Sequence, residues 1–382
     1  MVGMIYADHN ATSALRPEAR DAMLAAMDLG ANPSSVHAPG RAARKLLERA
    51  RDQIGAAIGS AGKDIVFTSG GTEANRLALV GAMMRLCEVG TWPPVYLYSR
   101  LEHSAVLDQI SKDAGQAIEV NAKPDGKIDL AHLRVCLEQA KEMERRPVLA
   151  LMLANNETGV IQPVTEAAAI VREFDGLIHC DAVQALGKIP VNVLLLGVDY
   201  LALSGHKCGG PAGVGALWIR PGAPLLPLHG GGGQERSLRS GTENLSGIAG
   251  FGAAAEVSVS KLSEYARLAS VRDEMEAGLR SSGVTVFGAT SDRLANTSCF
   301  AFPGFRSETQ VMAMDLAGVA ISAGAACSSG KVKVSGVLQA MGVSDDLARS
   351  AIRVSFGWNS APHDGKLIAD KWLAAAARRP SR

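Results

Sequence analysis

Between Ile65 and Ile219 the chain alternates short apolar runs with longer stretches of helical periodicity. Runs at 65–68, 95–98, 148–153, 177–180, 200–203 and 214–219 have the length and texture of buried strands, and the stretches between them can hold helices. The alternation predicts an α/β fold on a mostly parallel central sheet. Ahead of it, Pro17 opens a helix that closes at Gly30, and Leu46, Leu47, Ala50, Ile54 and Ile58 mark a second helix over 42–58. Beyond it, one long helical pattern over 254–279 leads away from the sheet as a hinge into a smaller mixed unit. That unit reads as strand 296–302, helix 307–316, strand 319–322, helix 335–341, strand 352–356 and helix 368–379.

Composition narrows the choice of partner more than the choice of fold. The 382 residues suffice for two or three domains, and 39 Lys plus Arg against 38 Asp plus Glu leave a net charge of +1. So balanced a chain gives no sequence-wide electrostatic case for nucleic acid or membrane as partner. No run approaches the roughly 20 apolar residues of a membrane span, and the N-terminal stretch lacks the basic and apolar regions of a signal peptide. The expected location is the cytoplasm. Cys87, Cys136, Cys180, Cys208, Cys299 and Cys327 are scattered without a CxxC pair, as single thiols in a reducing compartment are, and no local metal site is expected.

In an open sheet of this kind, ligands bind beyond the carboxyl ends of the strands. The first run is followed by Ser69-Gly70-Gly71-Thr72-Glu73-Ala74-Asn75, a glycine turn entering a helix. Its N-terminus suits a phosphate, although Thr72 reads equally as a plain N-cap. Later runs deliver Glu102-His103-Ser104, Asn155-Asn156-Glu157-Thr158-Gly159 and Asp181-Ala182-Val183-Gln184. The run at 200–203 delivers Ser204-Gly205-His206-Lys207-Cys208. Singly, these are an ordinary structural histidine, a capping aspartate and a solvated lysine. Together at the strand ends of one sheet they are what pyridoxal phosphate needs: an amine for its aldehyde, a helix N-terminus for its phosphate and a carboxylate for its ring nitrogen. No GxxxxGK[ST] spacing and no GxGxxG offers a nucleotide instead.

Two further stretches draw notice. His229-Gly230-Gly231-Gly232-Gly233-Gln234-Glu235-Arg236 and Arg239-Ser240-Gly241-Thr242-Glu243-Asn244 form a loop rich in glycine. Cys327 lies in Gly324-Ala325-Ala326-Cys327-Ser328-Ser329-Gly330, with Lys331 and Lys333 close by, where positive charge favours the nucleophilic thiolate. A small residue in a tight turn is the equal alternative.

The pieces TSGGTEAN, LEHSAVLD, NNETG, DAVQ, SGHKCGGPAGVGAL, HGGGGQE, RSGTEN, ISAGAACSSG and IRVSFG occur in the order seen in the NifS/IscS-type cysteine desulfurases of the class V aminotransferase group. The chain resembles that family from about Ile5 to Gly357. The resemblance implies the pyridoxal-phosphate-dependent transferase fold of type I, with a large cofactor-binding domain over 16–256 and a small α/β domain over 257–382 carrying the Cys327 loop. Residues 1–15 would pack with the small domain. It further implies that Lys207 holds the cofactor aldehyde and that Gly71, Thr72, Ser204 and His206 hold the phosphate. Thr242 would reach the phosphate of a second subunit in a homodimer. Asp181 would pair with the ring nitrogen and Gln184 with the phenolic oxygen, while His103 would stack on the ring and shuttle protons. Asn156 and Arg353 would take the substrate carboxylate, and Cys327 would receive sulfur from L-cysteine as a persulfide. An iron-sulfur scaffold or another sulfur-acceptor protein would be the partner. Only 25 residues follow Gly357, fewer than in the IscS branch, which leaves the mode of scaffold docking open. Selenocysteine lyase or another class V enzyme is the nearest alternative activity, and a non-catalytic assembly protein on the same scaffold is the more distant one.

Overall fold

The computed structural model describes residues 4–90, 92–112, 117–324 and 334–378. In chain order the first eight strands are β1 (Ile5–Tyr6), β2 (Ile65–Thr68), β3 (Pro94–Tyr98), β4 (Ala117–Glu119), β5 (Arg146–Ala150), β6 (Leu177–Asp181), β7 (Tyr200–Ser204) and β8 (Gly215–Ile219). All but β1 build one seven-stranded sheet in the order β2-β8-β7-β6-β5-β3-β4. The pairs within β7-β6-β5-β3-β4 are parallel, and β8 runs antiparallel to both of its neighbours. The six expected strands are present. β4 is the addition: three residues at the sheet edge with exposed ends carry too little apolar signal to be read.

The apolar runs look continuous in sequence because both sheet faces are covered. Alternate residues divide between two cores: Val95, Leu97, Leu149, Ile178, Leu201 and Leu203 enter one, and Tyr96, Val148, Ala150, Leu177, Tyr200 and Ala202 the other.

The remaining strands are β9 (Thr285–Val286), β10 (Thr297–Ala301), β11 (Val319–Ala320), β12 (Ser322–Ala323) and β13 (Ala351–Ser355). Four of these form an antiparallel sheet, β12-β13-β10-β9. The helix Asp364–Ala377 lays Trp372 on it, edge-on to Phe300 and Phe302. The N-terminal segment ties the two sheets together. β1 pairs in parallel with β11, the Asn10 amide donates to Ser355 Oγ, and the Ser13 amide donates to the His206 carbonyl.

The long helix expected over 254–279 is instead three helices: Leu245–Ser260, Leu262–Ala266 and Leu268–Leu279. The first begins earlier than its glycines suggest, because Asn244 Oδ1 caps it by accepting from the Gly247 amide. Gly252 is needed there: a Cβ on it would stand 2.7 Å from the Ala50 backbone of the helix Ala38–Ala57. Close helix packing thus outweighs poor intrinsic propensity.

Candidate active site

Lys207 closes a short 3₁₀ turn, Gly205–Lys207, directly after β7, and its Nζ donates to the carbonyls of Asn10 and Ala11, each at 2.7 Å. Burial, followed by the charge of Arg353, draws its pKa down to about 8. A useful fraction is therefore the neutral, nucleophilic amine near neutral pH. Burial, helped by Lys207 and Lys188, pulls His206 down to about 4, so its imidazole is neutral and shares a 3.2 Å hydrogen bond with Thr12 Oγ1.

Asp181 ends the neighbouring strand β6. Its Oδ1 accepts from the Val183 amide and its Oδ2 from Asn75 Nδ2. Asn75 is itself held at 2.8 Å by His179 Nε2, and burial keeps His179 neutral, with its pKa lowered to about 3. Because the Asn75 amide nitrogen is donating to the carboxylate, its Oδ1 must accept, and His179 must carry its proton on Nε2. The relay fixes the Asp181 carboxylate and still leaves it lone pairs.

His103 follows β3 and starts the helix Ser104–Lys112, where its Nδ1 accepts from the Ala105 amide. Desolvation lowers its pKa, with Asp181 opposing and Lys207 adding to the depression. The adjacent Glu102 is buried, accepts from the Met152 amide at Oε1 and is pushed up to about 8 by burial, with Asp181 adding to the rise.

Arg353, on β13 of the smaller sheet, points into the same region. Its Nη1 donates to the Asn156 carbonyl at 3.0 Å and its Nη2 to Asp8 Oδ1 at 2.7 Å, while its buried Nε has no acceptor. Both Nη atoms thus have acceptors, and the donor without one is enclosed.

The helix Gly71–Val89 opens beside Ser204: a Cβ on Gly71 would meet Val183 Cγ2 at 2.6 Å and Ser204 Cβ at 3.6 Å. Glycine thereby lets Val183 pack directly against the helix N-terminus beside β7. Gln184 is turned elsewhere, donating from Nε2 to the Asn10 carbonyl and accepting at Oε1 from Lys188 Nζ at 2.6 Å.

Hydrogen bonds join Lys207 and Gln184 to the Asn10 carbonyl, and Asn10 and Arg353 to the Asn156 carbonyl, while Gly71 lies beside Val183 and Ser204. Thr242 stands apart from Lys207, lining a cavity of about 650 Å³ with Glu73, Arg239 and the glycines at 230–232. Cys327 lies outside the described residues. Sequence reasoning missed Asn10, Lys188, Asn75 and His179. Asn10 is the hub: its carbonyl accepts from Lys207 and Gln184, its Oδ1 from Lys188 and Asn296, and its Nδ2 donates to Asn156 and Thr297. Asn75 had a signal, a polar residue on an otherwise apolar helix face; Asn10, in an irregular segment, had none.

The family model for aminotransferases of class V matches residues 5–364. The chain belongs to that family. Within it the chain stands with the NifS/IscS-type cysteine desulfurases. A protein named cysteine desulfurase IscS from Dictyoglomus turgidum is 40% identical over 367 residues, covering 94% of this chain and 91% of that protein. An IscS-like cysteine desulfurase from Mycobacterium tuberculosis is 35% identical over 98% of this chain and 97% of its own. The crystal structure of a NifS-like protein from Rickettsia africae superposes with a TM-score of 0.87 at 32% identity, covering 98% of this chain and 99% of that one. The fold is accordingly that of the type I pyridoxal-phosphate enzymes, and pyridoxal 5'-phosphate is the cofactor of the family. The residues present fit it: a lysine whose pKa is depressed by burial at the end of β7, and at the end of β6 a carboxylate held by Asn75 and the Val183 amide with lone pairs to spare.

Proposed function

We propose that this chain is a cysteine desulfurase that converts L-cysteine to L-alanine and leaves the sulfur on Cys327 as a persulfide, for iron-sulfur cluster or other sulfur-cofactor assembly. The observation that carries the reading is Lys207 at the end of β7, its amine held by the Asn10 and Ala11 carbonyls and drawn down to about 8 by burial and the charge of Arg353.

Pyridoxal phosphate, when bound, supplies an aldehyde for amines and an electron-withdrawing ring. Lys207 would hold that aldehyde and, once displaced by substrate, take the proton from the substrate Cα. Asp181, fixed by Asn75 and the Val183 amide, would keep the ring nitrogen protonated. Thr72, Ser204, His206 and the Gly71 backbone would cradle the phosphate. Gln184 would serve the phenolic oxygen, for which its Nε2 would have to leave the Asn10 carbonyl. Arg353 and Asn156 would orient the substrate carboxylate, and His103 would stack on the ring and move protons. The Cys327 thiolate would attack the substrate sulfur, so that the S–S bond forms as the C–S bond breaks. The electron pair stays with the carbon skeleton, and a proton completes alanine.

The same reading makes 16–256 the cofactor domain, 257–382 the small domain and 1–15 a segment packing with the small domain. It also makes the protein a homodimer, with Thr242 reaching a second copy's phosphate, and a cytoplasmic one. Among the described residues no helix is long and apolar enough to cross a membrane.

The test is to mix purified protein, loaded with pyridoxal phosphate, with L-cysteine and to measure alanine, sulfide and the visible spectrum for wild type beside Cys327→Ser. Wild type should make both products, while the serine variant keeps the cofactor band and makes neither. Sulfur release by the variant at the wild-type rate would remove Cys327 from the mechanism and favour a lyase of the selenocysteine type.

A further inference from the structure

Lys188 is a buried amine that no step of the proposed chemistry uses. The chain reaches it through a tight turn after β6. The Lys188 amide donates to the Ala185 carbonyl, and Gly187 takes a φ of +72°, where a Cβ would collide with the Ser258 side chain. The turn brings Lys188 back onto Gln184, four residues earlier. Its Nζ donates to Gln184 Oε1 at 2.6 Å and to Asn10 Oδ1 at 2.8 Å, and both acceptors are neutral amides.

These bonds agree with the only way round that the two side-chain amides can stand. The Asn10 main-chain carbonyl can only accept, so Gln184 must present Nε2 to it and Oε1 to Lys188. Asn10 is constrained likewise: its Nδ2 donates to the Asn156 carbonyl, and its Oδ1 is left to accept from Lys188 and Asn296. The Asn10 carbonyl also accepts from Lys207 Nζ at 2.7 Å, beside Gln184 Nε2 at 2.9 Å. The donor end of Gln184 therefore stands next to the Lys207 amine, and Lys188 holds the other end. Burial, followed by the charges of Lys207 and Arg353, draws the Lys188 pKa well down. The two bonds do not depend on its charge, since even a neutral amine has two N–H donors.

We propose that Lys188 is a positioning residue for Gln184: by holding Oε1 it leaves Nε2 as the end that turns to the cofactor's phenolic oxygen beside Lys207. The proposal rests on the roles given above to Lys207 and Gln184.

The test is the pH midpoint of the visible band of the full-length, cofactor-loaded protein, which follows the cofactor's own proton and not turnover. A donor on the phenolic oxygen favours its deprotonated form, so loss of the donor raises the midpoint. Gln184→Leu should raise it by about one pH unit, and Lys188→Met, which frees the Gln184 amide to flip, by at least about half a unit. The double variant should match Gln184→Leu alone, because Lys188 then has no amide to orient. An unmoved midpoint in Lys188→Met, even with a lowered Tm, would overturn the proposal. So would a double variant in which the two shifts add, since Lys188 would then act by its charge or through the fold. An unmoved midpoint in Gln184→Leu, or borohydride-reduced cofactor found by mass spectrometry on a residue other than Lys207, would sink the roles beneath the proposal and the proposal with them. Should Lys188→Met fail to fold, a crystal structure of the loaded wild type decides: Lys188 Nζ on Gln184 Oε1 supports the assignment, and Lys188 turned away from that amide overturns it.

Discussion

The proposed chemistry depends on how much Lys207 is neutral, and the structure says what sets that fraction. With its pKa near 8, about one Lys207 in ten is neutral at pH 7, against about one in 3,000 for an ordinary lysine at 10.5. Burial is the first cause and the Arg353 charge the second, while Asp8 and Asp181 pull the other way. Replacing Arg353 by methionine removes the depressing charge and also frees Asp8, its 2.7 Å partner, to favour the ammonium. Both changes have one sign, and the neutral fraction at pH 7 should fall about tenfold. Asp8→Asn removes an attraction and leaves Arg353 less neutralised, so its effect is opposite: the Lys207 midpoint should drop below that of wild type. The assay is competitive reductive methylation of cofactor-free protein across about pH 6 to 10, with the Lys207 peptide quantified by mass spectrometry. A midpoint for Arg353→Met at or below wild type, or one for Asp8→Asn above it, would refute this account of the amine.

Two further expectations concern stability. Glu102 is raised to about 8 by burial, with Oε2 left unpartnered, so the folded state retains a proton that the unfolded chain gives up near 4.5. Its contribution to stability therefore declines as pH rises from about 4.5 to about 8, and Glu102→Gln should gain on wild type in Tm across that window. A Tm difference independent of pH would contradict this. Arg51 and Glu235 form a buried two-bond pair at 2.7 and 2.8 Å, and Glu235 also accepts from the Phe67 amide in β2. Arg51→Ala leaves that carboxylate buried without its cation, at a cost of about 3–5 kcal/mol. Urea denaturation measures it, and a loss under about 1 kcal/mol would show that the pair is not held as described.

The strands of the large sheet were legible because burial on both faces writes each as an unbroken apolar run, and their ends announced Lys207, Asp181 and His103. The helix Leu245–Ser260 was less so, since its glycines serve a close helix contact that composition alone reads as a loop. The site's polar framework was the least legible part. Asn10, Lys188 and His179 earn their positions through partners 100 or more residues away, as in the bonds from Lys207 to Asn10 and from His179 to Asn75, and such pairings leave no local periodicity. Thr242 was read from a motif, and its place beside Glu73 rather than Lys207 came only from the fold.

The pairing of β1 with β11 has a meaning for how the protein is made. Ile5 waits for Val319, 314 positions later, and Asn10 for Ser355. At about 5–20 residues per second of synthesis, the first strand spends about 15 to 60 s without its partner. Asn10, which holds Lys207 and Gln184, is thus anchored by Ser355, 345 positions later. The setting of Lys207 is therefore finished only once β11 and β13 have been made, and a nascent chain stalled before β11 would carry the lysine without it.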